Sequence, residues 1–355
     1  MSPALDSRPG FLSRLQTATS AGRKRQVIQA ETACPLCGAV EAFRVAAKDR
    51  YGRAMSTVVC IHCGLFRTDP LPSSESSARF HRTQYRQMYK GAASPTARRI
   101  YRSARLAIAR WKHLAPFMPP ACSVLDIGSG SGEWLYVLDR MGRRPEGIEV
   151  DPCYADFSVR SYGVSVAKAS VFDFDPRGRR FDVITAFHVL EHLADPLAVL
   201  RKCHDWLTSD GILAVEVPNL ASTRQNPSRL FHPAHLVGFT PGSLHFAAES
   251  AGFQPVRWMS DSDQRNLLVC LAKQGNADHP AAPAARTGDP LCGCFRYRWP
   301  AIRYWTDPNT YWRATKRLIR MGAEIVMGRA ARENPCGLID RMLERDRHKA
   351  ASAAR

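Results

Sequence analysis

The chain has 355 residues, more than one typical domain, so a main domain with smaller attached segments is expected. Its hydrophobic fraction of 45% allows a full core, and no run approaches the ~20 apolar residues of a spanning helix, which excludes an integral helical membrane protein. The net charge of +18 predicts a polyanionic neighbour, such as nucleic acid, an anionic membrane surface or a phosphorylated substrate, although an arginine-rich genome would produce the same excess.

Residues 1–33 are polar and basic, and we expect a disordered tail. The first 26 residues carry charges but no apolar segment of the kind that signal peptides contain. We therefore expect a cytoplasmic protein that is at most peripherally attached to a membrane.

Residues 34–72 contain two cysteine knuckles, and their spacing predicts a zinc ribbon. The knuckles are C-P-L-C-G, with Cys34 and Cys37, and C-I-H-C-G, with Cys60 and Cys63. Each knuckle turns two thiolates toward one ion. The chain has 11 cysteines, an odd number, and only these four are clustered, which favours a metal site and buried thiols over disulfides. Four ligands close the coordination sphere, so the Zn²⁺ is expected to be structural.

Residues 73–118 are predicted to be a helical connector. Apolar residues at partly helical spacing over residues 97–114, with many arginines opposite, indicate a helix that packs on the following domain and covers its ligand side. Arg98 and Arg99 could contact a phosphate there, although a solvated helix face accounts for them better.

Residues 124–152 have the pattern of a nucleotide-binding unit. A short apolar strand leads into a turn with Gly128, Gly130 and Gly132, a helix follows, and Glu149 lies near the end of a second strand. Without a Cβ, the glycines let a ligand approach the backbone closely. Glu149 can accept two hydrogen bonds from the cis-hydroxyls of a ribose.

The spacing D-x-G-x-G-x-G differs from the dinucleotide fingerprint G-x-G-x-x-G. Its extra acid, Asp126, would repel a pyrophosphate but suits a cationic ligand with an amino group, such as S-adenosylmethionine. The stretch resembles motif I and the acidic residue after it in class I S-adenosylmethionine-dependent methyltransferases. A NAD site, or a nucleotide fold without activity, is the alternative. The cofactor-binding candidates are Asp126, Gly128, Ser129, Gly130, Gly132 and Glu149.

Alternating strands and helices over residues 119–273 predict a seven-stranded, doubly wound α/β sheet of the Rossmann-like type. In the methyltransferases that the chain resembles, the segment after the third strand lies against the adenine. The resemblance implies that Phe172 stacks on this ring and that Asp173 reaches its exocyclic amine. Further along the chain, Asp195 is placed to cap a helix that begins with Pro196.

Four histidines follow the carboxyl ends of the fourth and fifth strands, where α/β sheets bind ligands: His188, His192, His232 and His235. A hydroxyl or an enolisable carbon needs a base before it can be methylated, and histidine is the usual choice near neutral pH. We predict that His192 or His235 is the base or contacts the acceptor. We predict that His188 lines the methionine part of the cofactor through its backbone. A purely structural role is the alternative for each.

Four blocks together resemble a bacterial methyltransferase family with an N-terminal pair of cysteine knuckles. They are the knuckles with G-L-F-R-T-D-P-L-P at residues 34–72, the glycine motif at 124–132, F-H-V-L-E-H-L-A-D-P at 187–196 and H-P-A-H-L-V-G-F-T at 232–240. The chain is also similar to ubiquinone-biosynthesis O-methyltransferases and to zinc-containing sugar C-methyltransferases. The metal-site pattern of the former carries a carboxylate where this chain has His188, which argues against a catalytic divalent ion at Glu191 and His192.

Residues 274–290, rich in Ala, Pro and Gly, predict a linker, and residues 291–355 predict a basic, aromatic helical extension. Amphipathic helices are expected at 311–327 and 338–347. Basic faces with aromatic rims suit an anionic membrane or another polyanion. A helical extension that packs on the main domain is the favoured interpretation.

The sequence therefore predicts a methyltransferase that methylates an O or C atom of a small-molecule or glycan-type acceptor by in-line displacement with histidine assistance. The alternative is an RNA-directed methyltransferase whose basic surface and zinc ribbon bind nucleic acid. The sequence contains no N-P-P-Y motif, which amino methylation of bases would use. A binding module with an inactive methyltransferase fold is a third hypothesis, which the intact glycines and acids of the cofactor motif argue against.

Overall fold

The computed structural model describes residues 26–85, 88, 94–222, 230–260, 265–275 and 308–353. The strands are β1 (Val27–Gln29), β2 (Glu41–Lys48), β3 (Ala54–Cys60), β4 (Phe66–Thr68), β5 (Ser123–Ile127), β6 (Arg144–Ile148), β7 (Ser165–Ala167), β8 (Phe181–Phe187), β9 (Leu207–Pro218), β10 (Val237–Gly238), β11 (Phe253–Ser260) and β12 (Asn266–Lys273). The helices are α1 (Ser74–Thr83), α2 (Ala97–Leu114), α3 (Glu133–Arg140), α4 (Pro152–Tyr162), α5 (Pro196–Trp206), α6 (Pro241–Ser250), α7 (Pro308–Glu333) and α8 (Pro335–Ala353).

Seven strands form the main sheet in the order β11-β12-β9-β8-β5-β6-β7. The five strands from β9 to β7 in this order pair in parallel, whereas β12 pairs antiparallel with β9 and with β11. The order reverses between β5 and β8, and ligands bind at such a switch point beyond the carboxyl ends of the strands. The predicted doubly wound α/β sheet with a final antiparallel hairpin is confirmed.

The core lies on both faces of this sheet because successive side chains of a strand point in opposite directions. In β5, Leu125 belongs to the cluster that α5 and α6 cover, and Val124 to the cluster that α2, α3 and α8 cover. The buried face of α2 includes Ile100, Ala104 and Ile108, which follow helical spacing. Burial on both faces is what a parallel sheet requires.

Three helices begin with the same local signal, a capping side chain followed by proline. Asp151 accepts hydrogen bonds from the first turn of α4, and Asp195 does so for α5 from the amide of Ala198 at 2.9 Å. Thr240 forms a reciprocal capping box with Ser243 at the start of α6. These caps satisfy otherwise unpaired amides, and the predicted cap at Asp195 is confirmed.

A second, five-stranded sheet has the order β1-β2-β3-β4-β10. The hairpin of β2 and β3 lies between the two knuckles, as expected for a ribbon. Strand β1 corrects the expectation that residues 1–33 are disordered, because it pairs antiparallel with β2 from Val27 to Gln29. The amides of Glu31 and Thr32 then donate to the carboxylate of Asp69 at 3.0 and 3.1 Å. Residues 1–25 lie outside the described part of the chain.

Helices α7 and α8 form the C-terminal extension and are longer than the predicted segments. Both contact α2, and α8 also contacts α3 and α4. Packing on the main domain, the favoured interpretation, therefore holds for the described part of the extension, residues 308–353. Most of the predicted linker and the aromatic residues before 308 lie outside the described residues. Within the described ranges, no helix is both long and apolar enough to cross a membrane.

Candidate active site

A cavity of about 580 Å³ lies beyond the carboxyl ends of the parallel strands, between the main sheet and helices α1 and α2. Most of the predicted site residues line it: Asp126, Gly128, Ser129, Gly130, Glu149, Phe172, His188, His192 and His235. The predicted residues Gly132 and Asp173 are not among its lining residues. The cofactor motif and the histidine blocks, remote in sequence, therefore share one cavity.

The glycine turn is held against the end of β6. The amides of Gly128 and Ser129 both donate to the carbonyl oxygen of Ile148, at 2.8 and 3.0 Å. At Gly130, with φ +60°, the space that a Cβ would occupy is open, so a ligand can lie against the backbone there. The Ser129 hydroxyl is buried without a hydrogen-bond partner in the structure. An open cradle and an unsatisfied hydroxyl fit a polar ligand at this turn.

Gly132 has a packing role that the motif did not predict. Its φ of +91° is a conformation that disfavours side chains, and a Cβ there would lie 2.8 Å from the Cβ of Ser158 in α4. It is thus required for the turn and for close packing of α4, while its contact with a ligand stays a prediction. The packing role could not be read from the motif, because the neighbour of Gly132 is 26 residues away in sequence.

Glu149 is oriented by the main chain before any ligand arrives. Its Oε2 accepts from the amide of Gly130 at 2.8 Å, and its Oε1 accepts from the amide of Asp151 at 3.0 Å. The residue is 3% exposed and lines the cavity. Each carboxylate oxygen has a second lone pair, so a ribose diol can still donate to this group. The geometry fits the predicted ribose contact.

Asp126 is the buried acid at the end of β5. Its Oδ1 accepts from the Thr185 hydroxyl at 2.6 Å, and the Thr185 oxygen accepts from the indole N–H of Trp134 at 3.2 Å. Burial raises the pKa of Asp126 to about 7, against the opposing effects of the Thr185 hydrogen bond and Arg110. A nearby ammonium would favour the ionised form, so this site suits a ligand with an amino group.

Phe172 lines the cavity as predicted, but Asp173 does not. The Asp173 carboxylate accepts a hydrogen bond from the Ser170 hydroxyl at 2.7 Å and lies 3.9 Å from Arg82. Its side chain is 66% exposed. It therefore lies at the surface in its own turn, and its contact with an adenine stays a prediction.

His188 is clamped between two carboxylates. Its Nδ1 lies 3.0 Å from Glu191 and its Nε2 lies 3.3 Å from Glu216. Burial lowers the pKa of His188, but the hydrogen bonds to Glu191 and Glu216 outweigh this and raise it to about 9. Glu216 also accepts from Arg110 at 2.6 Å and from Asn266 at 3.1 Å. His188 is thus an imidazolium at neutral pH and is not available as a base.

His192 has the opposite character. Its Nδ1 lies 2.7 Å from the carbonyl oxygen of Ala234, which can only accept, so Nδ1 carries the proton and Nε2 has the lone pair. Burial holds the pKa of His192 well below its usual range. The ring centroids of His81, Tyr85 and His235 lie 4.7, 5.4 and 4.9 Å from that of His192. A neutral imidazole at the centre of an aromatic cluster is suited to general-base chemistry.

Two members of this cluster, His81 and Tyr85, were not predicted as site residues. They lie on and just after α1, which is anchored because the Ser77 hydroxyl donates to the carbonyl oxygen of His192 at 3.0 Å. Their sequence shows only a polar helix with interspersed aromatics. No local signal could have assigned them to the site, since the contact joins segments about 110 residues apart.

The ring of His235 stacks on the ring of His232. The two rings stack at 4.9 Å with an interplanar angle of 24°, and Nδ1 of His232 accepts from the amide of Ala234 at 3.0 Å. His232 does not line the main cavity. It therefore orients the turn that presents His235.

Ligand atoms of Glu191, His192 and His235 all lie within 4.8 Å of one another, a spacing that could hold a metal ion. The Oε2 of Glu191 is buried without a hydrogen-bond partner. However, the other oxygen of Glu191 faces the His188 imidazolium, which offsets the negative charge that a divalent ion needs.

The four predicted ligand cysteines meet at one point. Their sulfur atoms lie within 4.8 Å of one another, with Cys34 to Cys63 and Cys37 to Cys60 both at 3.5 Å. Tetrahedral zinc with Zn–S bonds of ~2.3 Å places its ligand sulfurs about 3.8 Å apart, so the donor set fits this ion. Hydrogen bonds from the neighbouring thiols, first that of Cys34, lower the pKa of Cys60 and favour a thiolate.

The five-stranded sheet that carries the cysteines is joined directly to the loop with His232 and His235, which we call the histidine loop. Strand β10, immediately after His235 and Leu236, pairs with β4, with Val237 opposite Arg67. The amide of Arg50 also donates to the carbonyl oxygen of Phe231 at 2.8 Å. The ribbon therefore packs behind the turn that carries His232 and His235.

Comparison with known proteins shows the family to which this domain belongs. A family model described as a methyltransferase domain matches residues 97–257. A ubiquinone biosynthesis O-methyltransferase of Cereibacter sphaeroides is 30% identical over 188 residues, which cover 44% of this chain and 73% of that protein. The protein of the same name from Bradyrhizobium diazoefficiens is 31% identical over 103 residues, 27% of this chain and 40% of its own length.

Solved structures of methyltransferases also align with the chain. The 1,6-didemethyltoxoflavin-N1-methyltransferase of Burkholderia thailandensis, bound to 1,6-didemethyltoxoflavin and S-adenosylhomocysteine, is 19% identical, with 62% of this chain and 95% of that chain covered and a TM-score of 0.42. The magnesium protoporphyrin IX methyltransferase of Synechocystis PCC 6803, bound to S-adenosylhomocysteine, is 11% identical, with 57% and 100% covered and a TM-score of 0.45. On the strength of the matched domain and the Cereibacter relative, the chain belongs to the class I S-adenosylmethionine-dependent methyltransferases.

Proposed function

We propose that this methyltransferase acts on a hydroxyl oxygen, or an enolised carbon, of a small-molecule or glycan-type acceptor, and that His192 is its general base. The observation that carries the proposal is the hydrogen bond from Nδ1 of His192 to Ala234 at 2.7 Å. It fixes the tautomer in which Nε2 can take a proton, and the lowered pKa keeps this nitrogen unprotonated at neutral pH.

Different residues of the cavity bind the cofactor and the acceptor. Bound S-adenosylmethionine supplies an electrophilic methyl group on its sulfonium. Glu149 binds the ribose, Asp126 attracts the amino group, and Phe172 packs against the adenine. For the acceptor, His192 removes the proton, while His235 and Tyr85 hold the acceptor in position. Alignment of the reacting atoms supplies much of the rate in such a displacement.

An oxygen acceptor is favoured by the names of the relatives, which are O-methyltransferases. The cavity wall formed by α2 includes Arg98, Arg99 and Arg102. These guanidinium groups suit an acceptor with a phosphate or carboxylate, as sugar nucleotides and lipid-linked glycans have.

We also propose that Cys34, Cys37, Cys60 and Cys63 hold a structural Zn²⁺. All four are free thiols and three are buried, so a metal would satisfy sulfurs that otherwise crowd together. The ion would hold together a small sheet with a limited core of its own. The ion would thereby support the histidine loop, because β4 of the ribbon pairs with β10 directly after that loop.

The experiment that tests the function uses labelled S-adenosylmethionine and two acceptor pools. One pool contains sugar nucleotides and lipid-linked glycans, and the other contains total RNA. We expect label in the first pool with the wild-type enzyme and loss of that label with His192→Asn. Label in RNA alone would replace this proposal with the RNA-directed alternative, in which the charge of +18 binds the substrate.

A further inference from the structure

The two sides of helix α7 have very different environments. Its inner side packs on α2, where Glu324 is buried and accepts from Nε of Arg98 at 2.7 Å. Further along, Gly328 lies against the main chain of α2, and Ala331 is fully buried beside Ile100. The helix is therefore anchored to the domain along this side.

Its outer side is apolar and faces solvent. Six large apolar side chains on this side are 58–73% exposed: Tyr311, Trp312, Leu318, Ile319, Ile325 and Val326. They form three adjacent pairs separated by seven residues, so they share one face of the helix, which we call the α7 outer face. The other exposed large apolar side chains in the described chain lie at scattered positions. A contiguous patch of this kind marks an interaction surface.

The positive charge of the α7 sequence favours an anionic partner. The sequence of the helix contains six basic residues and two acidic ones: Arg313, Lys316, Arg317, Arg320, Arg329, Arg332, Glu324 and Glu333. One of the two acids, Glu324, is buried against Arg98. A second copy of the chain would bring the same positive excess against itself, whereas an anionic surface would complement it.

We propose that the α7 outer face binds an anionic phospholipid membrane, with the helix lying in the headgroup region. Three pairs of apolar residues extend over about 22 Å along the helix axis, enough to insert one face without spanning the bilayer. Trp312 and Tyr311 provide the aromatic side chains that membrane interfaces favour. The sequence of the helix also has an excess of basic residues, which complements anionic headgroups.

The location of α7 gives this binding a consequence for the active site. Both Arg98 and Glu324, the ion pair that joins α7 to α2, line the cavity. A membrane bound at α7 would therefore lie near the cavity wall that carries the α2 arginines. This consequence rests on the proposed function, but the membrane binding itself does not and is measured without any methyl acceptor.

The test is sedimentation of the full-length protein with lipid vesicles. Vesicles of phosphatidylcholine alone are compared with vesicles that also contain phosphatidylglycerol. We expect binding to the anionic vesicles that weakens with salt, and a loss of at least about tenfold with Ile319→Asp or Val326→Asp. Val159→Asp is the matched control, because Val159 is an exposed valine (46%) on α4, outside the α7 outer face, and its replacement should not change binding.

Binding of S-adenosylmethionine by each variant shows that the fold is intact. The proposal is overturned if the wild type does not bind anionic vesicles, or if Ile319→Asp and Val159→Asp behave alike. Two results without vesicle binding would point to another partner and also overturn the proposal. One is a dimer that Ile319→Asp dissociates in light scattering, and the other is binding of the full-length protein to RNA alone.

Discussion

The main-chain amide of Thr68 donates a hydrogen bond to the carbonyl oxygen of Leu236, with 2.9 Å between the two atoms. Thr68 belongs to β4, beside the cysteine knuckles, and Leu236 follows His235, which lines the cavity. This bond and the adjacent pairing of β4 with β10 make the ribbon a support for the loop that carries His232 and His235. Main-chain hydrogen bonds therefore connect the cysteine ribbon to the segment that carries His235.

Loss of zinc should uncouple methyl transfer from cofactor binding. We expect Cys60→Ser, or removal of zinc by a chelator, to reduce kcat by about 100-fold, because small displacements of catalytic groups carry penalties of this size. The affinity for S-adenosylmethionine should change little, since the glycine turn belongs to the other sheet. Zinc content, calorimetric cofactor binding and initial rates are the measurements. Cys153→Ser, at an exposed cysteine outside the cluster, is the control. Full activity after stoichiometric loss of zinc would contradict the coupling.

Replacement of His192 by Asn should remove the base but preserve the local structure. The Asn side-chain amide can still donate to the carbonyl oxygen of Ala234, as Nδ1 of His192 does, but it has no group in place of Nε2. We expect kcat to fall about 10²–10⁴-fold, the usual contribution of a general base. The dissociation constant for S-adenosylmethionine should be unchanged. An unaltered rate in this variant would show that His192 is not the base.

Glu149→Gln should weaken cofactor binding without unfolding the protein. The amide keeps one acceptor for the main-chain amides of Gly130 and Asp151 but loses the charge that a ribose diol would meet. Hydrogen bonds to a charged group contribute about 1.5–3 kcal/mol, so the dissociation constant should rise roughly 10- to 100-fold. Calorimetry measures this change. Glu146→Gln, in a surface ion pair with Arg179, should bind like the wild type. Equal affinities of the two variants would refute the ribose contact.

The clamp around His188 predicts a pH-dependent stability. The pKa of His188 rises from 6.5 to about 9 on folding, so its contribution is complete below pH 6.5, declines above it and is lost as pH passes through about 9. The side chain is 37% exposed, so solvent screening limits the contribution to about 1 kcal/mol. Chemical denaturation at several pH values should show a steeper loss for the wild type than for His188→Gln. His113→Gln, at an exposed position, should follow the wild type. Parallel curves for all three proteins would exclude the clamp as a source of stability.

Methyl transfer should not require an added divalent ion. The His188 imidazolium faces Glu191 at 3.0 Å and offsets the charge that would otherwise attract an ion to Glu191, His192 and His235. Initial rates of the zinc-loaded enzyme in metal-depleted buffer, with and without Mg²⁺ or Mn²⁺, measure this requirement. A strict dependence on either ion would make the two histidines metal ligands and displace His192 from its role as base.

Much of the cofactor side was predictable because its chemistry is local in sequence. The spacing of Asp126, Gly128 and Gly130 and the position of Glu149 after the next strand place these groups together once a βαβ unit forms. The same holds for each pair of cysteines in its knuckle and for the Asp195–Pro196 helix start. The packing of Gly132 against Ser158 was not predicted, because the motif shows that a glycine is needed but not which neighbour requires it.

What the sequence by itself determined is the sheet, the cofactor motif and the cysteine cluster, since short-range spacing and alternation of strands and helices specify them. Only the tertiary structure decided the protonation states of the histidines and which of them line the cavity. His188 and His192 are four residues apart, yet one is held as a cation by Glu216 and the other is neutral against Ala234. The partners of these histidines, the contributions of His81 and Tyr85, and the exposure of one side of α7 all depend on contacts between distant segments. Charge and burial at such positions are properties of the packed molecule, so no local pattern encodes them.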